Sequence, residues 1–124
     1  MAAILKSLAI FLVIARGAYG ECTLRNLQVR QYGTGKSLKG YHEYSVSIFN
    51  KCNELCVQSN VKLNCSGFQT VEKVEPSILR VSGDVCDLNN ALPITSDATV
   101  NFRYAWSNSF HFNPIFSDIH CYKS

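Results

Sequence analysis

Long hydrophobic runs are almost absent from this sequence of 124 residues. The run at residues 8–15 is too short to cross about 30 Å of hydrocarbon as a helix, and no stretch of eighteen apolar residues follows it. We therefore expect no membrane insertion. Lys6 ahead of the run, and small residues at Ala18 and Gly20 behind it, predict a cleaved signal peptide at residues 1–20; a core helix is the weaker alternative.

Clustered positive charge is lacking as well. The chain carries 12 Lys and Arg residues against 9 Asp and Glu residues, and Lys6 and Arg16 belong to the predicted signal peptide. The remaining domain, residues 21–124, is therefore close to neutral. Nucleic acids and anionic membranes bind proteins that present several cations on one face. We expect neither of them as a partner.

Catalytic and metal-binding motifs are missing too. His42, His111 and His120 are isolated, there is no His-Glu-x-x-His pattern, and no serine lies in a Gly-x-Ser-x-Gly elbow. Two carboxylates from distant strands could still act as a glycosidase pair, which the sequence leaves open. We predict that the protein is not an enzyme and that it holds no metal and no cofactor.

Cysteine, by contrast, is plentiful. The predicted mature domain contains all six cysteines: Cys22, Cys52, Cys56, Cys65, Cys86 and Cys121. An even number in an oxidising compartment predicts three disulfides, for which fifteen pairings are open. A zinc site on Cys52 and Cys56 is the weaker alternative, because zinc frameworks usually combine two short-spaced pairs of cysteines.

Alternating apolar and polar residues predict strands, and no helical stripe is present. Residues 41–50 direct Tyr44, Val46 and Ile48 to one face, and residues 57–65 alternate in the same way. Further strands are predicted at residues 23–31, 77–81, 100–107 and 115–121, with turns at residues 33–35, 66–67, 83–84, 89–90 and 113–114. The predicted fold is all-β: a single disulfide-stabilised antiparallel β-sandwich or small barrel.

The aromatic residues near the C-terminal end have two interpretations. On a strand, Phe102, Tyr104 and Trp106 share one face, and Phe110 and Phe112 continue it. The single Met of the sequence is Met1, outside the predicted domain, so large rings must fill the core and we predict that the three phenylalanines are buried. Tyr and Trp are enriched at protein interfaces. The candidate partner-binding residues are Arg103, Tyr104, Trp106, His111 and Asn113.

A glycosylation sequon is also present. Asn64-Cys65-Ser66 matches the N-x-Ser pattern in a chain predicted to be secreted. The strand alternation places Asn64 on the polar face, opposite Cys65, where a glycan has room. Asn64 is therefore a candidate glycosylation site.

Segments spread over most of the chain carry a family resemblance. They are YSVSIFNKCNELC at residues 44–56, VKLNCSGF at 61–68, VEPSILR at 74–80, GDVCDLNN at 83–90 and VNFRYAWSNSFHFNPIFSDIHC at 100–121. Together they resemble the plant tapetum determinant-like proteins, which are small, secreted and rich in cysteine. The resemblance implies an extracellular ligand in the apoplast that is perceived by a leucine-rich-repeat receptor kinase at the plasma membrane and acts in anther cell differentiation.

Two other functions stay open on the sequence alone. A cell-wall carbohydrate-binding module is the first alternative, because β-sandwiches often present aromatic rings to sugars, and Tyr104, Trp106, Tyr41 or Tyr122 could serve in this way. A small secreted enzyme is the second. Binding to wall polysaccharide, or to a receptor ectodomain, distinguishes the module from the ligand.

Overall fold

The structure is a computed structural model that describes residues 22–122. The predicted signal peptide, residues 1–20, lies outside the described residues. Within residues 22–122 no helix has the length and apolarity that a membrane span requires. Regular structure in this part consists of strands and of two short 3-10 helices, η1 (Leu24–Asn26) and η2 (Asn89–Ala91).

Seven strands form two antiparallel sheets that pack as a sandwich. They are β1 (Leu27–Leu38), β2 (Tyr41–Asn50), β3 (Cys56–Asn64), β4 (Leu79–Ser82), β5 (Val85–Leu88), β6 (Thr99–Trp106) and β7 (Asn113–Cys121). The three-stranded sheet has the order β1-β2-β6, and the four-stranded sheet has the order β4-β5-β3-β7. The predicted all-β sandwich is confirmed, and the sheets do not close into a barrel.

The core lies between the two sheets and is built from alternate strand positions. Val46 and Ile48 of β2 and Val61 and Leu63 of β3 are completely buried in one cluster. Successive side chains of a strand point to opposite faces, so the period-two pattern seen in the sequence selects these residues. Burying each of them contributes about 1.5–3 kcal/mol.

Aromatic rings fill one end of this core. Phe102 and Phe112 are buried, and the half-buried Phe110 packs against them, which confirms their predicted place in the interior. Phe68, from the connection between β3 and β4, meets Phe110 and Phe112 edge to face with ring centroids 5.3 and 5.4 Å apart. Such edge-to-face contacts stabilise beyond the area that they bury.

The β1–β2 hairpin turns later than the sequence pattern predicts. β1 continues through residues 33–35, with a shift of register between Gly33 and Ser37, and ends at Leu38. The turn is formed by Lys39 and Gly40, whose φ angles are 51° and 85°. Two successive positive φ angles match the twist of the flanking strands. The predicted turn at residues 33–35 is therefore wrong, because its glycines lie in a bulge within β1.

Three other boundaries differ from the prediction. Residues 24–26 form η1 rather than the start of a strand, because the Asn26 side chain accepts a hydrogen bond from the Thr23 N–H at 2.8 Å and favours a tight turn. Residues 113–114 open β7 instead of forming a turn. The strand β5 was not predicted, because Val85 and Cys86 are both apolar and its sequence does not alternate.

Candidate partner-binding surface

Three disulfides hold the sandwich together. The pairs are Cys22–Cys52, Cys56–Cys121 and Cys65–Cys86. Cys56 and Cys121 lie opposite each other on β3 and β7, with Cα atoms 4.0 Å apart. No free cysteine remains among residues 22–122, and Cys52 and Cys56 belong to different bridges, so the zinc alternative is wrong. Any binding surface on this domain is therefore carried by a cross-linked scaffold.

Tyr104 is a core residue without accessible surface. Its exposed fraction is 0%, and its hydroxyl donates a hydrogen bond to Gln31 Oε1. The same hydroxyl accepts a hydrogen bond from the Phe110 backbone N–H at 2.9 Å. Burial raises the pKa of the Tyr104 phenol, which keeps the hydroxyl protonated and able to donate. A side chain in this position cannot touch a partner, which corrects the predicted contact role of Tyr104.

Trp106 lies at the end of β6 and is half-buried. Its ring stacks on Tyr41, with centroids 5.0 Å apart and planes 4° from parallel. The stack occupies one face of each ring inside the protein. Trp106 therefore keeps only part of its surface for a partner, and Tyr41 is not an isolated ring.

The three remaining predicted contact residues are exposed but belong to different surfaces. Arg103 lies on the outer face of β6, directly opposite Ser45 of β2. Asn113 opens β7 in the other sheet and lies opposite Asn64, and His111 precedes it in the connection between the sheets. The structure therefore does not gather the predicted contact residues into one site.

The outer face of the three-stranded sheet is the most distinctive polar surface near Arg103. Tyr32, Ser45 and Arg103 form one row across β1, β2 and β6, and Arg30 and Ser47 belong to the next row. We name this surface the basic face. It comprises Arg30, Tyr32, Phe49, Lys51 and Arg103. These residues are far apart in sequence, which explains why no cluster of Lys and Arg is visible there.

A shallow groove crosses the basic face. The small side chains of Ser45 and Ser47 form its floor, and Tyr32 and Arg103 form its sides. The groove measures about 410 Å³. The Ser47 hydroxyl donates a hydrogen bond to Asn101 Oδ1 at 2.6 Å, which fixes the far end of the floor. Serine in a central strand thus creates a depression where larger side chains would give a flat sheet.

Two carboxyl groups meet at one end of the basic face. The connection between β3 and β4 runs along the free edge of β6, where the Val71 N–H donates to the Ala105 carbonyl at 3.0 Å. This contact brings Glu72 against Glu43 of β2. The Thr34 hydroxyl, which donates at 2.7 Å, lowers the pKa of Glu43, and a hydrogen bond with Glu72 lowers it further. Burial raises the pKa of Glu72, and the hydrogen bond with Glu43 and the charge of Glu43 raise it further.

The carboxyl pair does not have the geometry of a glycosidase. Glu43 and Glu72 are in hydrogen-bond contact, whereas glycosidase carboxyls stand about 5–9.5 Å apart, with the sugar or a water between them. Among residues 22–122 no group of three or more His, Cys, Asp or Glu side chains is arranged to hold a metal ion. The pair is better understood as a link between the edge connection and the sheet.

The candidate glycosylation residue, Asn64, ends β3 and is exposed. Its Oδ1 atom accepts hydrogen bonds from the Ser66 N–H at 3.1 Å and from the Ser66 hydroxyl at 2.8 Å. These bonds use the carbonyl oxygen of the Asn64 amide. They do not involve its Nδ2 atom, which is the atom that an N-linked glycan would modify. The following residue, Cys65, is buried in its disulfide with Cys86.

Of the basic face, the sequence pattern identified Arg103 and missed Arg30, Tyr32, Phe49 and Lys51. Tyr32 is 61% exposed. The predicted turn at residues 33–35 ended the first strand too early and hid the alternation of Gln28, Arg30 and Tyr32 on one face. Glu43 lies on the face of β2 opposite Tyr44, Val46 and Ile48, and its 9% exposure depends on the contact with Glu72 from a distant connection.

Comparison with known proteins identifies relatives over nearly all of the described chain. The family model described as "Tapetum determinant 1, C-terminal" matches residues 23–122. The chain is 27% identical over 103 residues to TPD1 protein homolog 1 of Arabidopsis thaliana, covering 82% of this chain and 56% of that protein. It is 31% identical over 111 residues to Uncharacterized protein At1g05835 of the same species, covering 87% and 80%.

A rice relative is also matched over only part of its length. TPD1 protein homolog 1A of Oryza sativa subsp. japonica is 33% identical over 78 residues, which cover 57% of this chain and 34% of that protein. The chain thus spans about half or less of the length of the two relatives named as TPD1 homologs. No solved structure matches the chain.

Proposed function

The chain belongs to the tapetum determinant 1 family, and from this membership we propose that it is a secreted protein ligand perceived by a leucine-rich-repeat receptor kinase at the plasma membrane. The family is one of signalling-type proteins rather than of enzymes. In the proposal the protein acts in the apoplast, after removal of residues 1–20, and directs cell differentiation of the kind that the family name describes, in the anther.

The observation that carries the proposal is the extent of the family match. Residues 23–122 include both sheets in full and five of the six cysteines. A match of this extent covers the whole scaffold rather than one motif. Three disulfides are also consistent with an extracellular protein, because such bonds persist in oxidising compartments.

In the proposal, the rigidity of the disulfide-linked domain favours receptor binding. A cross-linked sandwich presents its surface in one conformation, so docking on a receptor loses little conformational entropy. The contact residues retained in the proposal are Arg103 and, in part, Trp106. His111 and Asn113 lie on a separate surface and would belong to a second contact, if a receptor reaches both sheets.

A capture experiment tests the proposed function. The purified, oxidised protein is immobilised and exposed to a panel of soluble leucine-rich-repeat receptor kinase ectodomains. We expect at least one ectodomain to bind with a dissociation constant between about 1 nM and 1 μM. If none is retained, the receptor-ligand proposal fails.

The carbohydrate-binding alternative is tested in the same series. Wild type and Trp106→Ala are incubated with insoluble wall polysaccharide, because Trp106 is a partly exposed ring of the segment that suggested sugar binding. The ligand proposal predicts that neither protein is retained. Retention of wild type that is lost in Trp106→Ala, together with no ectodomain binding, would replace the ligand proposal by the carbohydrate-binding module.

A further inference from the structure

The basic face carries exposed cations, Arg30, Lys51 and Arg103, that form no ion pair within residues 22–122. Arg30 lies over the Phe49 ring with its guanidinium carbon 5.1 Å from the ring centroid, and Lys51 Nζ lies 5.3 Å from the same centroid. These cation–π contacts hold two positive charges beside the ring without neutralising them. The ion pair found among residues 22–122 joins Lys62 to Asp87 on the other sheet.

The nearest acidic groups do not change the sign of this surface. Glu43 and Glu72 interact electrostatically with Arg103, but Glu43 is only 9% exposed and its carboxyl is engaged by Thr34 and Glu72. The charged side chains that this face exposes to solvent are therefore Arg30, Lys51 and Arg103. A partner that lies on the face meets positive charge and hydrogen-bond donors.

The groove adds shape to this charge. Its floor of Ser45 and Ser47 is recessed between Tyr32 and Arg103, so one side chain of a partner can enter while its flanking residues reach the cations. Tyrosine and arginine are the residue types that most often carry interface energy, especially around a central pocket. The face therefore has a central depression, an aromatic wall and a charged border.

We propose that the basic face is the docking surface of the proposed ligand and that its partner is an acidic protein surface. Carboxylates of the partner lie against Arg30 and Arg103, and a partner side chain enters the groove between Tyr32 and Arg103. This inference rests on the proposed function, because it names the part of the protein that a receptor ectodomain touches and the charge of the matching receptor surface.

The chemistry of the rings favours a protein over an acidic polysaccharide. A sugar ring needs an open aromatic face on which to lie, and Phe49 already carries Arg30 and Lys51 over its ring. Tyr32 is the one ring of the basic face that is free of such a contact among the described residues. Isolated cations around a recessed floor of serines instead suit carboxylate side chains that approach from separate positions.

The test compares charge variants in a titration with the receptor-kinase ectodomain retained in the capture experiment. We expect Arg30→Glu/Arg103→Glu to weaken binding by about 100-fold or more, since reversed charges repel an acidic partner. Arg30→Gln/Arg103→Gln, which adds no third carboxyl beside Glu43 and Glu72, should weaken binding by about 10-fold. The matched control is Arg80→Glu on the outer face of the four-stranded sheet, which should bind like wild type.

Each outcome decides between the two proposals. If wild type binds an ectodomain and both double variants bind equally well, the receptor-ligand function stands and the docking surface is wrong. If no ectodomain binds wild type, the function fails and the surface is tested with poly-L-glutamate and with oligogalacturonate. The surface is supported if wild type and Arg80→Glu bind poly-L-glutamate and Arg30→Gln/Arg103→Gln does not. It is overturned if wild type does not bind poly-L-glutamate, or if it binds oligogalacturonate more strongly.

Discussion

Gln58 donates a hydrogen bond from Nε2 to Asn50 Oδ1 over 3.2 Å in the interior of the sandwich. Gln58 also donates to the Thr23 carbonyl at 3.1 Å and accepts a bond from the Ser117 hydroxyl at 2.6 Å. Asn50 in turn donates to the Ile94 carbonyl at 2.8 Å. The two amides thus connect both sheets with the N-terminal segment at Thr23. Hydrogen-bonded buried networks of this kind favour one arrangement of the core.

Replacing Gln58 by leucine should destabilise the protein. The substitution keeps the volume similar but removes the hydrogen bonds of Gln58 with Asn50 Oδ1, the Thr23 carbonyl and the Ser117 hydroxyl, at a cost of about 0.5–1.5 kcal/mol for each bond. Urea denaturation measures the change in the free energy of unfolding. Gln28→Leu, on the exposed face of β1, is the control and should change this free energy by less than about 0.5 kcal/mol.

Tyr104→Phe should lower stability without removing any contact surface. The variant keeps the ring in the core and removes the hydroxyl that pairs with Gln31 Oε1 and the Phe110 N–H, so we expect a loss of about 1–3 kcal/mol. Thermal or urea unfolding measures it. Tyr122→Phe, at a side chain that is 57% exposed, provides the comparison and should be neutral. Equal stability of all three proteins would show that the Tyr104 hydroxyl is not part of the core network.

Glu72→Gln should stabilise the protein in a pH-dependent manner. The pKa of Glu72 in the folded protein is raised above 4.5. Its contribution to the free energy of unfolding is therefore fully present below pH 4.5 and is lost as the pH rises through the pKa of the folded protein. Glutamine imitates the protonated carboxyl and avoids this loss. We expect the variant to unfold at higher urea concentration than wild type at pH 7, and at the same concentration near pH 4.

Two comparisons make the pH experiment specific. Glu43, whose pKa is lowered, acts in the opposite sense. Its contribution to the free energy of unfolding is present above pH 4.5 and is lost as the pH falls through its pKa in the folded protein, both in wild type and in Glu72→Gln. The exposed Glu75→Gln serves as a matched control without the buried contact. A gain for Glu72→Gln that is as large at pH 4 as at pH 7 would argue against the carboxyl pair.

Removing the Cys56–Cys121 bridge should cost more stability than removing the Cys22–Cys52 bridge. The bridges span sequence separations of 65 and 30 residues. Closing the longer loop restricts the unfolded chain more, by about 4.3 kcal/mol against about 3.6 kcal/mol in the chain-entropy account. Double serine variants and urea denaturation give the two values. If Cys22→Ser/Cys52→Ser loses more unfolding free energy, the contacts of this bridge in the folded protein, rather than chain entropy, decide which bridge stabilises more.

Asn64 should carry a glycan in the secreted protein. Its exposure at the end of β3 leaves space for the sugar, and the sequon is complete. Treatment with an endoglycosidase should increase the gel mobility of wild type and leave Asn64→Gln unchanged. Equal mobility of untreated wild type and Asn64→Gln would exclude the modification.

The fold could be predicted from the sequence where alternation is long. The boundaries of β2 at residues 41–50 coincide with the predicted strand, because Tyr44, Val46 and Ile48 form an unbroken apolar face over several pairs of residues. The bulge in β1 could not be predicted, since glycines at residues 33 and 35 are equally typical of a turn. A single residue of shift decides which face the later side chains occupy.

The candidate site was less predictable than the fold. Arg103 follows directly from the alternation in β6, whereas Arg30 joins it only because β1 and β6 both flank β2. Strand order is a tertiary property that no local pattern contains. The burial of Tyr104 depends likewise on the distant Gln31, whose side chain supplies the hydrogen-bond partner that lets a tyrosine hydroxyl enter the core.

The central claim is that the chain acts as a folded extracellular ligand, and a titration of oxidised and reduced protein against the receptor-kinase ectodomain panel tests it most directly. The account predicts a dissociation constant between about 1 nM and 1 μM for the oxidised protein and no measurable binding after reduction, because the docking surface is assembled from three strands of a disulfide-held domain. Absence of binding to every ectodomain, or equal binding by the reduced chain, would contradict it.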